Sequence, residues 1–190
     1  MKLRQLLVSL AAALATAGAA QAATFDGATG AATVTSYSDA STLAFDIDFT
    51  SLGAVTLNFT VEASDLTGGL SFNSLVRNLT GLGFSGLTFT LSGATFSAPG
   101  TLATDGFQAI TGQGFDGHQL WATFAPALTT EFHVGAPLGS GTDWAISLAG
   151  AQVGDTFTIT AAVPEPGAVA MLLAGFGVMG AMARRRRNQA

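Results

Sequence analysis

Leu43-Ala44-Phe45-Asp46-Ile47-Asp48-Phe49-Thr50 is the stretch that decides the fold. Leu43, Phe45, Ile47 and Phe49 fall on one side of an extended chain, and Asp46, Asp48 and Thr50 on the other. Successive side chains of a strand point to opposite faces, so this contrast at a period of two reads as a half-buried strand. After Ser51-Leu52-Gly53 the alternation returns, with Val55, Leu57, Phe59 and Val61 set against Thr56, Asn58 and Thr60. Two such runs around a short glycine-containing loop are expected to form a hairpin.

Outward from this pair, further strands are expected over 70–76, at Leu87, Phe89 and Leu91, and over 107–111, 120–124, 131–134, 144–148 and 157–160. Glycine punctuates most of the gaps, and no helical apolar period of useful length appears before residue 167. The stretches 28–35 and 79–86 are low in complexity, and the second is expected to be a loop. Many short strands with glycine-rich turns predict an all-β body over 23–162, an antiparallel β-sandwich of jelly-roll or immunoglobulin-like type.

Only 10% of the 190 residues are charged, against roughly 25% in an average soluble domain. Between residues 23 and 163, 35 of 141 positions are Ser or Thr, so hydroxyls and glycine coat this body in place of ions. The same stretch holds eleven acids and a single base, Arg77, a net of −10. One cation cannot neutralise a phosphate backbone, which excludes nucleic acid as a partner. With no cysteine there is neither a disulfide framework nor thiolate chemistry. A body of this size holds one core, so one domain between two terminal signals is expected.

Residues 1–22 have the parts of a secretory signal peptide: Lys2 and Arg4, the apolar run 6–15, and Ala20-Gln21-Ala22. Small residues at the last and third-last positions suit signal peptidase, so Ala20 and Ala22 mark the site and cleavage is expected after Ala22. The export translocon and signal peptidase are the partners this implies. At the other end, 167–183 is a run of 17 uncharged residues followed by Arg184, Arg185, Arg186 and Arg187. As a helix it is about 26 Å long, slightly short of a ~30 Å hydrocarbon core, and snorkelling arginines cover the difference. A single C-terminal transmembrane helix is therefore expected, with the arginines as stop-transfer signal in the cytoplasm and the body outside. Just before it stands Val163-Pro164-Glu165-Pro166, whose prolines forbid helix and hold Glu165 extended, in the form a processing enzyme grips. No LPXTG-like sortase motif is present, and the GxGxxG match at 175–180 lies inside the apolar run, where no βαβ unit can form around it.

This combination over 163–190 resembles the tails of the PEP-CTERM family of exported Gram-negative proteins. The resemblance implies recognition by exosortase, a multi-pass membrane enzyme, through Pro164, Glu165 and Pro166. It further implies transient anchoring in the inner membrane by 167–183, cleavage, and passage of the body to the cell surface or extracellular matrix. Such tails are joined to unrelated bodies, so the resemblance gives destination and handling.

Chemistry in the body is sparse. His118 and His133 are the only neutral-pH bases, and Gly-x-Ser-x-Gly and His-Glu-x-x-His are absent. No catalytic residue and no metal site is assigned, and the body is expected not to be an enzyme. Asp105, Asp116, Asp143 and Asp155 lie in or beside turns, which leaves calcium as the one cofactor to consider. Gly114-Phe115-Asp116-Gly117-His118-Gln119-Leu120-Trp121 is the most varied run. Asp116, His118 and Trp121 would contact carbohydrate if exposed together, whereas Asp-Gly as a turn and Trp121 as core is the favoured reading. Asn58-Phe59-Thr60 and Asn78-Leu79-Thr80 match the N-glycosylation triplet, a frequent chance match. The body is accordingly expected to be structural or adhesive, with a carbohydrate-binding module of the exopolysaccharide matrix as the alternative and a small glycoside-active enzyme as the third choice.

Overall fold

Among the described residues, 22–105, 109–125 and 131–164 of the computed structural model, strands dominate and the one helix is a single turn. In chain order they are β1 (Thr24–Gly30), β2 (Ala32–Ser36), β3 (Thr42–Phe49), β4 (Gly53–Thr60), α1 (Asp65–Gly68), β5 (Leu70–Asn78) and β6 (Gly86–Ser92). There follow β7 (Thr95–Ala98), β8 (Leu102–Asp105), β9 (Ile110–Phe115), β10 (Gln119–Phe124), β11 (Glu131–Val134), β12 (Trp144–Ser147) and β13 (Thr156–Val163).

The first sheet runs β1-β4-β13-β6-β10-β9 and is antiparallel throughout. The second runs β2-β3-β5. Along the far side of β5 lie β12, opposite its first residues, and β11, opposite its last, with β7 and β8 outside them. The two sheets face each other across one apolar cluster. Phe45 of β3 meets Phe59 of β4 edge-on at 5.6 Å between ring centroids, and Phe72 of β5 meets Phe89 of β6 at 5.4 Å. Such edge-to-face contacts suit the ring quadrupoles and add to the burial of large rings.

The all-β expectation holds, and β3 has the alternation read from its sequence, with Leu43, Phe45, Ile47 and Phe49 buried. The expected hairpin does not. β3 pairs with β2 and β5, whereas β4 pairs with β1 and β13, so residues 50–52 carry the chain from one sheet to the other. A hairpin and this crossing need the same alternation, because in either case the apolar side faces the core. After β4 and α1 the chain re-enters the second sheet in the direction of β3. The β3–β5 pair is therefore parallel, and the wholly antiparallel expectation fails there.

The strand expected at 107–111 starts instead at Ile110, because glycines occupy alternate positions of β9 and hide its period; 106–108 lie outside the described residues. β1, β2, β7 and β8 carry few large apolar side chains and were invisible to the same reading. No helix of the described residues is long and apolar enough to cross a membrane, and the expected span 167–183 lies outside them.

Candidate functional site

Asp116 and His118 occupy the turn from β9 to β10, and Trp121 is the third residue of β10. The Asp116 carboxylate accepts the amides of His118 (3.1 Å) and Gln119 (2.9 Å), the geometry of an Asx-type turn, and Gly117 supplies the positive φ of 89°. Asp116 thus has the structural role the turn reading gives it. Trp121 does not. It is 39% exposed on the outer face of the first sheet, since the buried alternates of β10 are Leu120, Ala122 and Phe124. Its indole lies across β9, where a Cβ on Gly114 would come within 2.9 Å of the ring. An aromatic covering glycines of a neighbouring edge strand protects exposed backbone.

Around Trp121 the outer face is uncharged and hydroxylated. Gln119, Thr90, Thr160, Thr56 and Thr29 are successive register partners across five strands. The Thr56 and Thr160 hydroxyls are 3.0 Å apart, and the Gln119 amide donates to Thr90 at 3.3 Å. Neither glycosylation triplet offers a free acceptor. Asn58 donates its side-chain amide to the Gly27 carbonyl, and Asn78 is buried and donates to the Leu82 carbonyl.

Asp39, Asp46, Asp48, Asp143 and Asp155 are spent locally. Asp143 accepts from Ala136 N and Asn73, Asp155 from Gln152 N, and Asp39 from Ser41 N and Thr42 N. Asp46 and Asp48 bind Arg77 at 3.1 and 2.6 Å, and the Asp48 hydrogen bond holds the guanidinium above its ordinary pKa. Calcium requires six to eight converging oxygens. Among the described residues no three His, Cys, Asp or Glu side chains are grouped so as to hold one ion. His118 sits in the β9–β10 turn and His133 on β11 of the other sheet, so the two are not brought together.

At the N-terminal side, Ala20 lies outside the described residues, but Ala22 and Ala23 are 1% and 2% exposed. Ala22 N donates to the Asp39 carbonyl at 2.8 Å, and Ala23 N to the Asp65 carboxylate at 3.0 Å. Sequence reading missed Asp65; its signal would have been an acid followed by Leu-Thr-Gly in a turn, which is too common to single out.

At the C-terminal side, β13 is a central strand held by β4 and β6. Phe157, Ile159, Ala161 and Val163 enter the core while Thr158 and Thr160 face outward, and Val163, 2% exposed, is in register with Gly53. Pro164 follows at once. Without an amide hydrogen it cannot extend the ladder, so the chain leaves the sheet there, exposed.

Compared with protein families, the chain matches the PEP-CTERM protein-sorting motif over residues 162–187. The tail is a PEP-CTERM sorting signal. No curated protein and no solved structure matches the chain. The PEP-CTERM motif implies export, exosortase as processing partner and passage through a membrane-held state. Its first two residues, Ala162 and Val163, are also the last two of β13, so motif and fold overlap with no linker between them. Glu165, Pro166, the expected span 167–183 and Arg184, Arg185, Arg186 and Arg187 lie outside the described residues.

Proposed function

We propose that this is an exported protein of a Gram-negative cell, freed by exosortase to act as a structural or adhesive component of the cell surface or extracellular matrix. The observation that carries this reading is the PEP-CTERM motif joined directly to a complete central strand. Removing everything after Pro164 leaves every described strand intact. The two facing sheets are those of a β-sandwich, which we take to be jelly-roll or immunoglobulin-like, and the body is not an enzyme. In support, Asp116, Asp143 and Asp155 are committed to turns and Asp46 and Asp48 to Arg77. The test is to express the protein with and without exosortase and compare where the body is found. Release from the membrane only in the strain with exosortase is expected, and equal retention in both would end the proposal.

The exposure of Trp121 on an uncharged hydroxyl face favours one second reading, a module that binds neutral exopolysaccharide. On a glycan array, Trp121→Ala should then lose binding that the parent body shows. An array on which the parent binds nothing would remove this reading and leave the first.

A further inference from the structure

Asp65 opens α1 and is 4% exposed, yet no cation among the described residues meets it. One carboxylate oxygen accepts Ala23 N at 3.0 Å and the other accepts Glu62 N at 2.6 Å. The single base of the body, Arg77, is engaged by Asp46 and Asp48 on the other sheet. Burial accordingly pushes the Asp65 carboxyl above its ordinary pKa, and the neighbouring Glu62 charge adds to the rise. A buried carboxylate without a counter-charge is unfavourable, and two amide donors compensate only in part.

We propose that Asp65 is the receptor for the α-ammonium group that processing creates on Ala23. Hydrolysis of the Ala22–Ala23 peptide bond adds one water. The carboxylate departs on Ala22 with the signal peptide, and the amine left on Ala23 takes up a proton. The nitrogen already lies 3.0 Å from the Asp65 oxygen, so an amide–carboxylate hydrogen bond becomes an ammonium–carboxylate ion pair without displacement of the strand. Loss of Ala22 opens the site to water for the other ammonium hydrogens. The pair ties the start of edge strand β1 to α1, some forty residues along the chain. It also adds a second positive charge to a body that otherwise has only Arg77.

An order of events follows. Both residues of the scissile bond are buried in the folded body, at 1% and 2% exposure, so signal peptidase must cut before β1 closes onto the core. Folding then proceeds with the ammonium present.

The proposal rests on cleavage after Ala22, and the two are separately testable. The N-terminal mass of the exported protein reports the cleavage site; a start other than Ala23 rejects that reading and the proposal with it. With the start confirmed, the α-amino pKa is measured by NMR in the native body and in Asp65→Asn. Among the described residues the titratable groups nearest Ala23 are Asp65 on α1 and Glu62, bonded to Thr24, while the Asp39 carboxylate is turned to Ser41 and Thr42; the substitution isolates the first. In the native body the pKa should stand about one unit or more above the ordinary ~7.7–8.0, and most of that rise should vanish in Asp65→Asn. An ordinary value with Asp65 intact overturns the proposal. As a second measurement, Nα-acetylation of the unsubstituted body keeps every side chain. Acetylation and Asp65→Asn should each lower the urea midpoint, and together should cost no more than the larger alone; fully additive losses contradict the pairing.

Discussion

Asp39 and Arg77 show how few charges this body uses and how each is held. The amide of Ser41, then that of Thr42, keeps the Asp39 carboxyl below its ordinary range. A depressed folded-state pKa gives stability that is present above the unfolded value of about 3.9 and is lost as pH falls through the depressed value. Asp39 is exposed, so solvent screens much of this gain: Asp39→Ala should cost about 0.5 kcal/mol or less at neutral pH, and urea titrations should show the gap closing on acidification below about pH 4. Arg77 is one-third exposed, so its ion pairs are partly screened. Its removal still leaves Asp46, Asp48 and Glu131 with no cation between them. Arg77→Met should lower stability by about 1 kcal/mol, and added salt should narrow the difference by screening the acids. An effect that grows with salt would contradict this electrostatic account.

At the scale of elements, the crossings between sheets matter most. β1 passes into β2 through Gly30, at φ 133°, where a Cβ would run into the Ala54 carbonyl and stand 2.8 Å from the Val55 Cα. Gly27, at φ 123°, has nothing within 4 Å of such a Cβ. Gly30→Ala should thus lower thermal stability more than Gly27→Ala, by roughly 1–3 kcal/mol of added overpacking. β13 is the other sensitive element, since β4 and β6 both depend on it. A chain ending at Val163 should unfold cooperatively by circular dichroism, whereas one ending at Asp155 should not. Within the strand, Ile159→Ala, at a fully buried position, should cost about 2–5 kcal/mol.

The same elements mark how far the sequence could be read. Alternation identified β3, β4, β6 and β13, because large apolar residues recur at every second place. It did not say which sheet each joins, since both sheets bury the same side. The bounds of β9 were misplaced because Gly112 and Gly114 stand where a polar or apolar side chain would have set the period. Residue type suggests Trp121 as core, whereas its place next to Leu120 in a strand puts it outside. The Asp65–Ala23 contact joins positions 42 apart and has no local pattern at all.

On the scale of the molecule, the expected cleavage site after Ala22 and the tail motif both adjoin the folded body with no spacer. Ala22 and Ala23 are packed into it, and Val163 is the last residue of a central strand. On the proposed reading two processing events bound the domain, and its central strand is complete one residue before the tail motif's Pro164-Glu165-Pro166. Folding can finish while the tail still holds the protein at the membrane, and tail removal then takes away no part of the described core. Intact mass of the protein recovered outside the exporting cell tests this most directly. The account predicts a chain that begins at Ala23 and lacks 184–187, with its C-terminus at or beyond Pro164; a mass that retains the four arginines, or a C-terminus inside β13, would contradict it.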